Sequence, residues 1–293
     1  MNLHLLRLFT AVVEHGSVGA AARALGVSQP AVSRAVRELE SQTGLALLER
    51  SARGVRLTAE GEEVYAHARG VYAAERAVEE SIASMKGVQK GTLHIGASTT
   101  IATYVLPEIL SRFAAQHPGI ELRLSAVHTR VLVQMLRRYE LDVALAEAPV
   151  HDERIRVTPW LMDEMIVIVP PSHALLKHRG AVAPAALNDE LIVLREPESG
   201  TRSIVLKALA HAGVEVRRSI SVDSTEVIKQ LVAGAFGIGV VSRVAVQEQL
   251  SLGRLVELHV RGLHVTRPFN RLALRGRRPS SAARAFLAVL APE

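Results

Sequence analysis

Two groups of residues in this chain are of types and spacings that do chemistry. The first is Gln29, Ser33, Arg34 and Arg37, with Ser28 and Pro30 just ahead of them. Gln, Ser and Arg side chains hydrogen-bond base edges and phosphates. At these spacings they share one helix face, with Val32, Ala35, Val36 and Leu39 on the other. The second group is split between two distant stretches: Ser98, Thr99 and Thr100 in GASTTIATYVLP, and Ser199, Gly200, Thr201 and Arg202 in REPESGTRS. Each stretch follows a strand pattern and opens a helix, so hydroxyls and spare backbone N–H groups converge where a small anion or polar ligand fits. Thr129 and Glu147, at strand ends, are lesser candidates. Each group has a plainer reading: a solvated helix face for the first, ordinary N-capping for the second.

The surrounding elements shift the balance. Leu5, Leu6, Phe9, Val12 and Val13 mark a first helix that Gly16 stops. Ser17 caps a second, alanine-rich helix, which allows close approach of a neighbour, and Gly26 ends it. Ser28 caps the third helix and Pro30 sits in its first turn. This is a helix-turn-helix pattern whose polar face fits a major groove. LALLERSARGVRLTAEG then reads as a β-wing tipped by Arg53, and residues 1 to 57 hold seven arginines against four glutamates. From Thr58 to Met85 runs a proline-free helix with Val64, Val71, Val78 and Met85 seven apart and Ile82 filling in. That spacing predicts a seam between two chains; the alternative is packing on the helix's own globule.

After the hinge KGVQKG the pattern alternates strand and helix, which predicts a mostly parallel α/β sheet. WLMDEMIVIVP is long enough for a strand that leaves one sheet and starts another, giving a hinged pair of subdomains. The expected domains are residues 1–58, a linker and hinge over 59–90, and a C-terminal domain over 91–293. Within the last, one subdomain takes about 91–162 and 268–293 and the other about 163–267.

Composition removes several classes. With no cysteine, disulfides, thiolate zinc sites and cysteine nucleophiles are excluded. No P-loop or G-x-S-x-G elbow occurs, and the glycines of GAFGIG follow a helix and precede a strand, the reverse of a dinucleotide loop. His173 and His178 lack metal-site spacing and read as solvated; RGRRP, Arg275 to Pro279, reads as a solvated turn. Catalytic residues, metal and cofactor are therefore all expected to be none. The net charge of +6 suits a polyanionic partner without requiring one. The N-terminus lacks a signal-peptide pattern and no apolar run is of membrane length, so a cytoplasmic chain with no membrane contact is expected.

The first 66 residues closely resemble the DNA-binding domain of LysR-type transcriptional regulators, and the order of the later parts is similar along the whole chain. The resemblance implies an N-terminal winged helix-turn-helix, a long linker helix and a C-terminal two-subdomain α/β domain like type 2 periplasmic binding proteins. It also implies a homodimer or homotetramer on a dyad-symmetric promoter site in double-stranded DNA, and leaves room for RNA polymerase as a partner. By matched position, DNA contacts fall on Ser28, Gln29, Pro30, Ser33, Arg34, Arg37 and Arg53. A small anionic or polar effector, bound as the cleft closes, falls on Ser98 to Thr100 and Ser199 to Arg202. GASTTIATYVLP with REPESGTR also looks like the subgroup linked to sulfur assimilation or carbon fixation genes, although Glu198 stands where relatives often have a small residue.

Overall fold

A computed structural model of the protein describes residues 2–51, 54–85, 90–178 and 180–290. The chain divides into two units, one built from the N-terminal 88 residues and a second from most of the remainder.

In the first unit, α1 (Leu3–Glu14), α2 (Val18–Leu25) and α3 (Gln29–Thr43) enclose one core. Phe9, Val12, Ala21, Val32 and Leu39 are fully buried in it, so the alanines of α2 admit α3 closely. Ser17 and Ser28 cap α2 and α3 by accepting from the backbone N–H of Ala20 and Ala31, and Gly26 supplies the left-handed turn between them at φ 67°. The wing is β1 (Leu48–Ser51) paired antiparallel with β2 (Gly54–Leu57); its tip, including Arg53, lies outside the described residues. Glu40, which the sequence did not single out, ties α3 to the wing. Its Oε1 accepts from Leu47 N at 2.9 Å and Leu48 N at 3.2 Å.

The long helix α4 spans Ala59–Met85, about 40 Å of rod. Thr58 caps it, accepting from Gly61 N at 2.9 Å. The expected seam is corrected in its first half. Val64 and Ala68 pack on the core of α1 to α3 in their own chain, because α4 begins pressed against the wing. A Cβ at Gly61 would lie 2.0 Å from Leu47 O, so only glycine permits this approach. Val71, Val78 and Ile82 are exposed, at 38%, 59% and 49%; the Met85 side chain lies outside the described ones, as does most of KGVQKG.

The second unit is built on β3 (Gly91–Ala97), α5 (Leu106–Gln116), β4 (Ile120–Ala126), α6 (Thr129–Arg137), β5 (Val143–Ala146) and β6 (Ile155–Val169). There follow β7 (Leu191–Arg195), α7 (Gly200–His211), β8 (Arg218–Val222), α8 (Thr225–Ala233) and β9 (Ile238–Ser242). The last elements are α9 (Gln247–Ser251), β10 (Val256–Glu257), β11 (Val265–Leu274) and α10 (Ser281–Val289).

Among the described residues the strands join in one nine-stranded sheet, ordered β4-β3-β5-β11-β6-β9-β7-β8 with β10 on the end of β6. The expectation that β6 leaves one sheet for another is thus corrected. It pairs with β11 from Ile155 to Met165, with one register shift that leaves Trp160 without a β11 partner, and with β9 from Met165 to Ile168, so it joins the two halves in one sheet. The core does divide. Leu93, Ile95, Phe113, Phe269 and Phe286 belong to a cluster under the β3 half, whereas Val167, Leu194, Val205 and Val240 belong to one under the β7 half.

Candidate functional site

The polar face of α3 is open. Ser28, Gln29, Pro30, Arg34 and Arg37 are exposed and Ser33 is half-buried, while Val32, Ala35, Val36 and Leu39 are buried behind them. Arg37 Nε donates to Ser33 O one turn back, at 3.2 Å, which sets its guanidinium along the helix. Arg34 has no ion pair among the described residues. The first two turns of α3 thus present a cation, an amide and a hydroxyl with no acid of their own, the donor set that duplex DNA recognition uses.

The two Ser/Thr stretches meet across the sheet of the second unit, but they do so around a carboxylate already in the chain. Glu147, at the end of β5 and 8% exposed, accepts from Ser98 Oγ at 3.1 Å, Thr100 Oγ1 at 3.3 Å and Thr201 Oγ1 at 3.1 Å. Arg267, on β11 and 2% exposed, donates from Nη1 to Thr201 Oγ1 at 2.7 Å and stands 3.5 Å from Glu147. Its Nε donates to Asp163 at 2.8 Å, and Ser242 closes the chain on Asp163 at 2.6 Å. Burial raises the Asp163 carboxyl above its ordinary pKa, even against Arg267 and the Ser242 bond.

Ser98, Thr100 and Thr201, expected from the sequence to face a ligand, are turned onto Glu147 in this structure. A buried carboxylate recruits the donors within reach, and Glu147 has taken these three. Glu147 is therefore the hub of the network rather than one more contact, and it, not the exposed Glu198, is the acid at this place. Arg202, expected at the same place, is engaged nearby. Its Nη1 donates to Arg195 O at 2.8 Å and Ser221 Oγ at 2.7 Å, which turns it onto the ends of its own strands.

What remains beside the hub is a small cavity of about 10 Å³, lined by Thr99, His128, Thr129, Arg195, Ser199 and Gly200 among others. Ser199 makes no capping bond at the start of α7, so its hydroxyl is unspent. Sequence reasoning missed Arg195 and His128. Arg195 holds Glu196 through two bonds and Thr225 through a third, and His128 Nε2 lies 3.6 Å from Glu196. Burial would raise Glu196, but the Arg195 bonds outweigh it and hold the carboxyl below its usual range. Arg195 sits at a strand's carboxyl end, a signal the sequence did offer.

The cleft is also shut by contacts between its halves. Tyr104 donates to Glu226 of α8, and Lys229 pairs with Glu226 at 2.5 Å and lies 5.0 Å from the Tyr104 ring centre. Burial, then the Glu226 bond, drives the Tyr104 hydroxyl well above its ordinary pKa. Gly200 faces Ala148 so closely that a Cβ there would lie 2.4 Å from the Ala148 methyl.

The remaining motifs resolve simply. The glycines of GAFGIG serve packing, since a Cβ at Gly237 would meet Leu191 O at 2.3 Å. His173 is corrected from solvated to half-buried, accepting from Leu175 N and lying 3.4 Å from Glu190. Within RGRRP, Arg277 is no solvated arginine; it donates to Leu141 O and pairs with Asp142 at 2.8 Å. Among the described residues no cluster of His, Asp and Glu has metal-holding geometry, and no helix is long and apolar enough to cross a membrane.

A winged helix-turn-helix followed by an α/β domain with a polar cleft defines a DNA-binding transcriptional regulator with an effector-type domain. Comparison with known proteins agrees. Residues 3–62 match the model of bacterial regulatory helix-turn-helix proteins of the lysR family, and residues 86–293 match the LysR substrate binding domain. The chain belongs to the LysR family. It is 37% identical to a RuBisCO operon transcriptional regulator of Allochromatium vinosum over 98% of this chain and 94% of that one. Full-length OxyR of Pseudomonas aeruginosa superposes with a TM-score of 0.79 at 25% identity, covering 99% of this chain and 93% of that one. The regulatory domain of Synechocystis PCC6803 CcmR, in complex with 2-PG, gives 0.64 at 28% identity over 69% of this chain and 96% of that one. The curated relatives are transcriptional regulators, not enzymes.

Proposed function

We propose that the protein reads a dyad-symmetric promoter site with Ser28, Gln29, Pro30, Ser33, Arg34 and Arg37 of α3, Arg53 assisting from the wing. The observation that carries this is the exposed face of α3, with Arg34 and Arg37 open to solvent over a fully apolar back. Such a protein works where the DNA is, in the bacterial cytoplasm. Arg34→Ala should cost about 1 to 3 kcal/mol of operator affinity, the worth of one good base or phosphate contact. Titration of parent and variant at one salt concentration checks this, and equal affinities would remove Arg34 from the interface.

The second part of the reading is that a small anionic or polar effector acts by opening the cleft, where the sequence had suggested closure. The 10 Å³ cavity is too small for a metabolite, and the Glu147, Tyr104 and Gly200 contacts hold it shut. An effector can shift this state only by binding the parted one better. Its anionic groups would use the hydroxyls of Thr99, Thr129 and Ser199, with Arg195 and His128, which hold Glu196 while the cleft is shut, turning to the ligand as it parts. The CcmR domain, solved in complex with 2-PG, lends the small-molecule class support. Ser199→Ala removes an uncommitted hydroxyl. Operator affinity should therefore hold while the effector dose response of a reporter moves to higher concentration; an unchanged curve would take Ser199 out of the site.

The third part is self-association through α4. Val71, Val78 and Ile82 form an exposed apolar line, and Leu3, Arg7, Val71, Tyr72 and Glu75 border a groove of about 300 Å³ beside it. A second copy of the chain fits that line, giving the homodimer or homotetramer that a two-fold site requires.

A further inference from the structure

A second cavity, of about 180 Å³, opens away from the cleft, in the β3 half of the sheet. Its floor is the β5-β11-β6 part of the ladder. Arg271 stands opposite Thr158, and Arg156 opposite Ala273, so these four share one face, with the small Ala273 leaving room beside the two arginines. Leu136 of α6 and Leu287 of α10 give it apolar walls. Three guanidinium groups line it, from Arg156, Arg271 and Arg277, against one carboxylate, Asp142. That carboxylate is already committed, to Arg277 at 2.8 Å and to His94 N at 3.0 Å.

Arg156 and Arg271 therefore face the cavity with no ion-pair partner among the described residues, and Arg271 Nε is buried with no hydrogen bond at all. A buried charged donor left unmade is costly, and arginine forks are shaped for carboxylate and phosphate oxygens. The volume equals about six waters, below the range of drug-sized pockets, and the leucines favour a carbon skeleton over a bare inorganic ion.

We propose that this cavity is a second ligand site, taking a small organic oxyanion, a carboxylate or phosphate monoester, with its charged end on Arg156 and Arg271 and its carbon chain on Leu136 and Leu287. The site is independent of the effector cleft, so one can fail without the other.

Calorimetric titration of the full-length protein tests it, with butyrate, butyl phosphate and neutral butanol as probes. Saturable millimolar binding of at least one acid is expected, with none of butanol; the tighter acid identifies the source of the oxyanion. Arg156→Gln, at an exposed strand position, and Arg271→Gln should each weaken that binding about tenfold or more, the loss of one charge-assisted bond. Ser199→Ala, in the cleft, should leave it unchanged. The proposal is overturned by absence of saturable binding, by equal binding of butanol, by undiminished binding in both arginine variants, or by a loss confined to Ser199→Ala.

Discussion

Replacing Arg267 with alanine should cost about 3 to 5 kcal/mol of folding stability at neutral pH, the usual penalty for stranding one side of a buried ion pair. Arg267 is 2% exposed and is the only cation among the described residues to touch both Glu147 and Asp163. Without it two buried carboxylates remain, served only by hydroxyls from Ser98, Thr100, Thr201 and Ser242. The pH dependence follows from Asp163, whose folded-state pKa is raised by burial. A raised acid favours the folded state when protonated, so its contribution is full below its unfolded value and is lost as pH rises through the folded one. Removing the arginine raises that pKa further, and the deficit of the variant should be smaller near about pH 5 than near about pH 8. Denaturant unfolding at both values measures it; a variant as stable as the parent would deny the network its role.

Converting Val78 and Ile82 together to aspartate should dissociate the oligomer. Each of these exposed side chains, buried against a partner helix, is worth at least about 1.5 kcal/mol. Four are lost per pair of chains, so the dimer weakens by about 6 kcal/mol, about four orders of magnitude in Kd. Both residues are solvent-facing within the chain, at 59% and 49%, and the helix itself should survive. Light scattering reads the mass and circular dichroism the helix; an undiminished mass would place the interface elsewhere.

The legibility of these features in the sequence follows the range of the forces involved. Ser17, Gly26, Ser28 and Pro30 act on backbone within one turn, so the caps and breaks of α1 to α3 are local and readable. The exposed arginines of α3 follow from the same periodicity. The first half of α4 could not be read that way, because a heptad pattern does not say whether Val64 meets a partner or its own core. That choice rests on Gly61 against Leu47, fourteen residues apart. The continuity of the sheet depends on the register of β6 with β11, across about a hundred residues. The two Ser/Thr stretches were legible as strand ends that open helices, but the charges that join them were not. Glu147, Asp163 and Arg267 come from three strands, and no local signal pairs them.

For the α3 face the decisive measurement is selection from a random pool of duplex DNA by the purified full-length chain, followed by sequencing. The parent should enrich one motif with two-fold symmetry, and Arg34→Ala should lose that enrichment or relax it at the base it reads. A pool with no enriched motif, or the same motif recovered at equal strength by the variant, would contradict DNA reading by this helix.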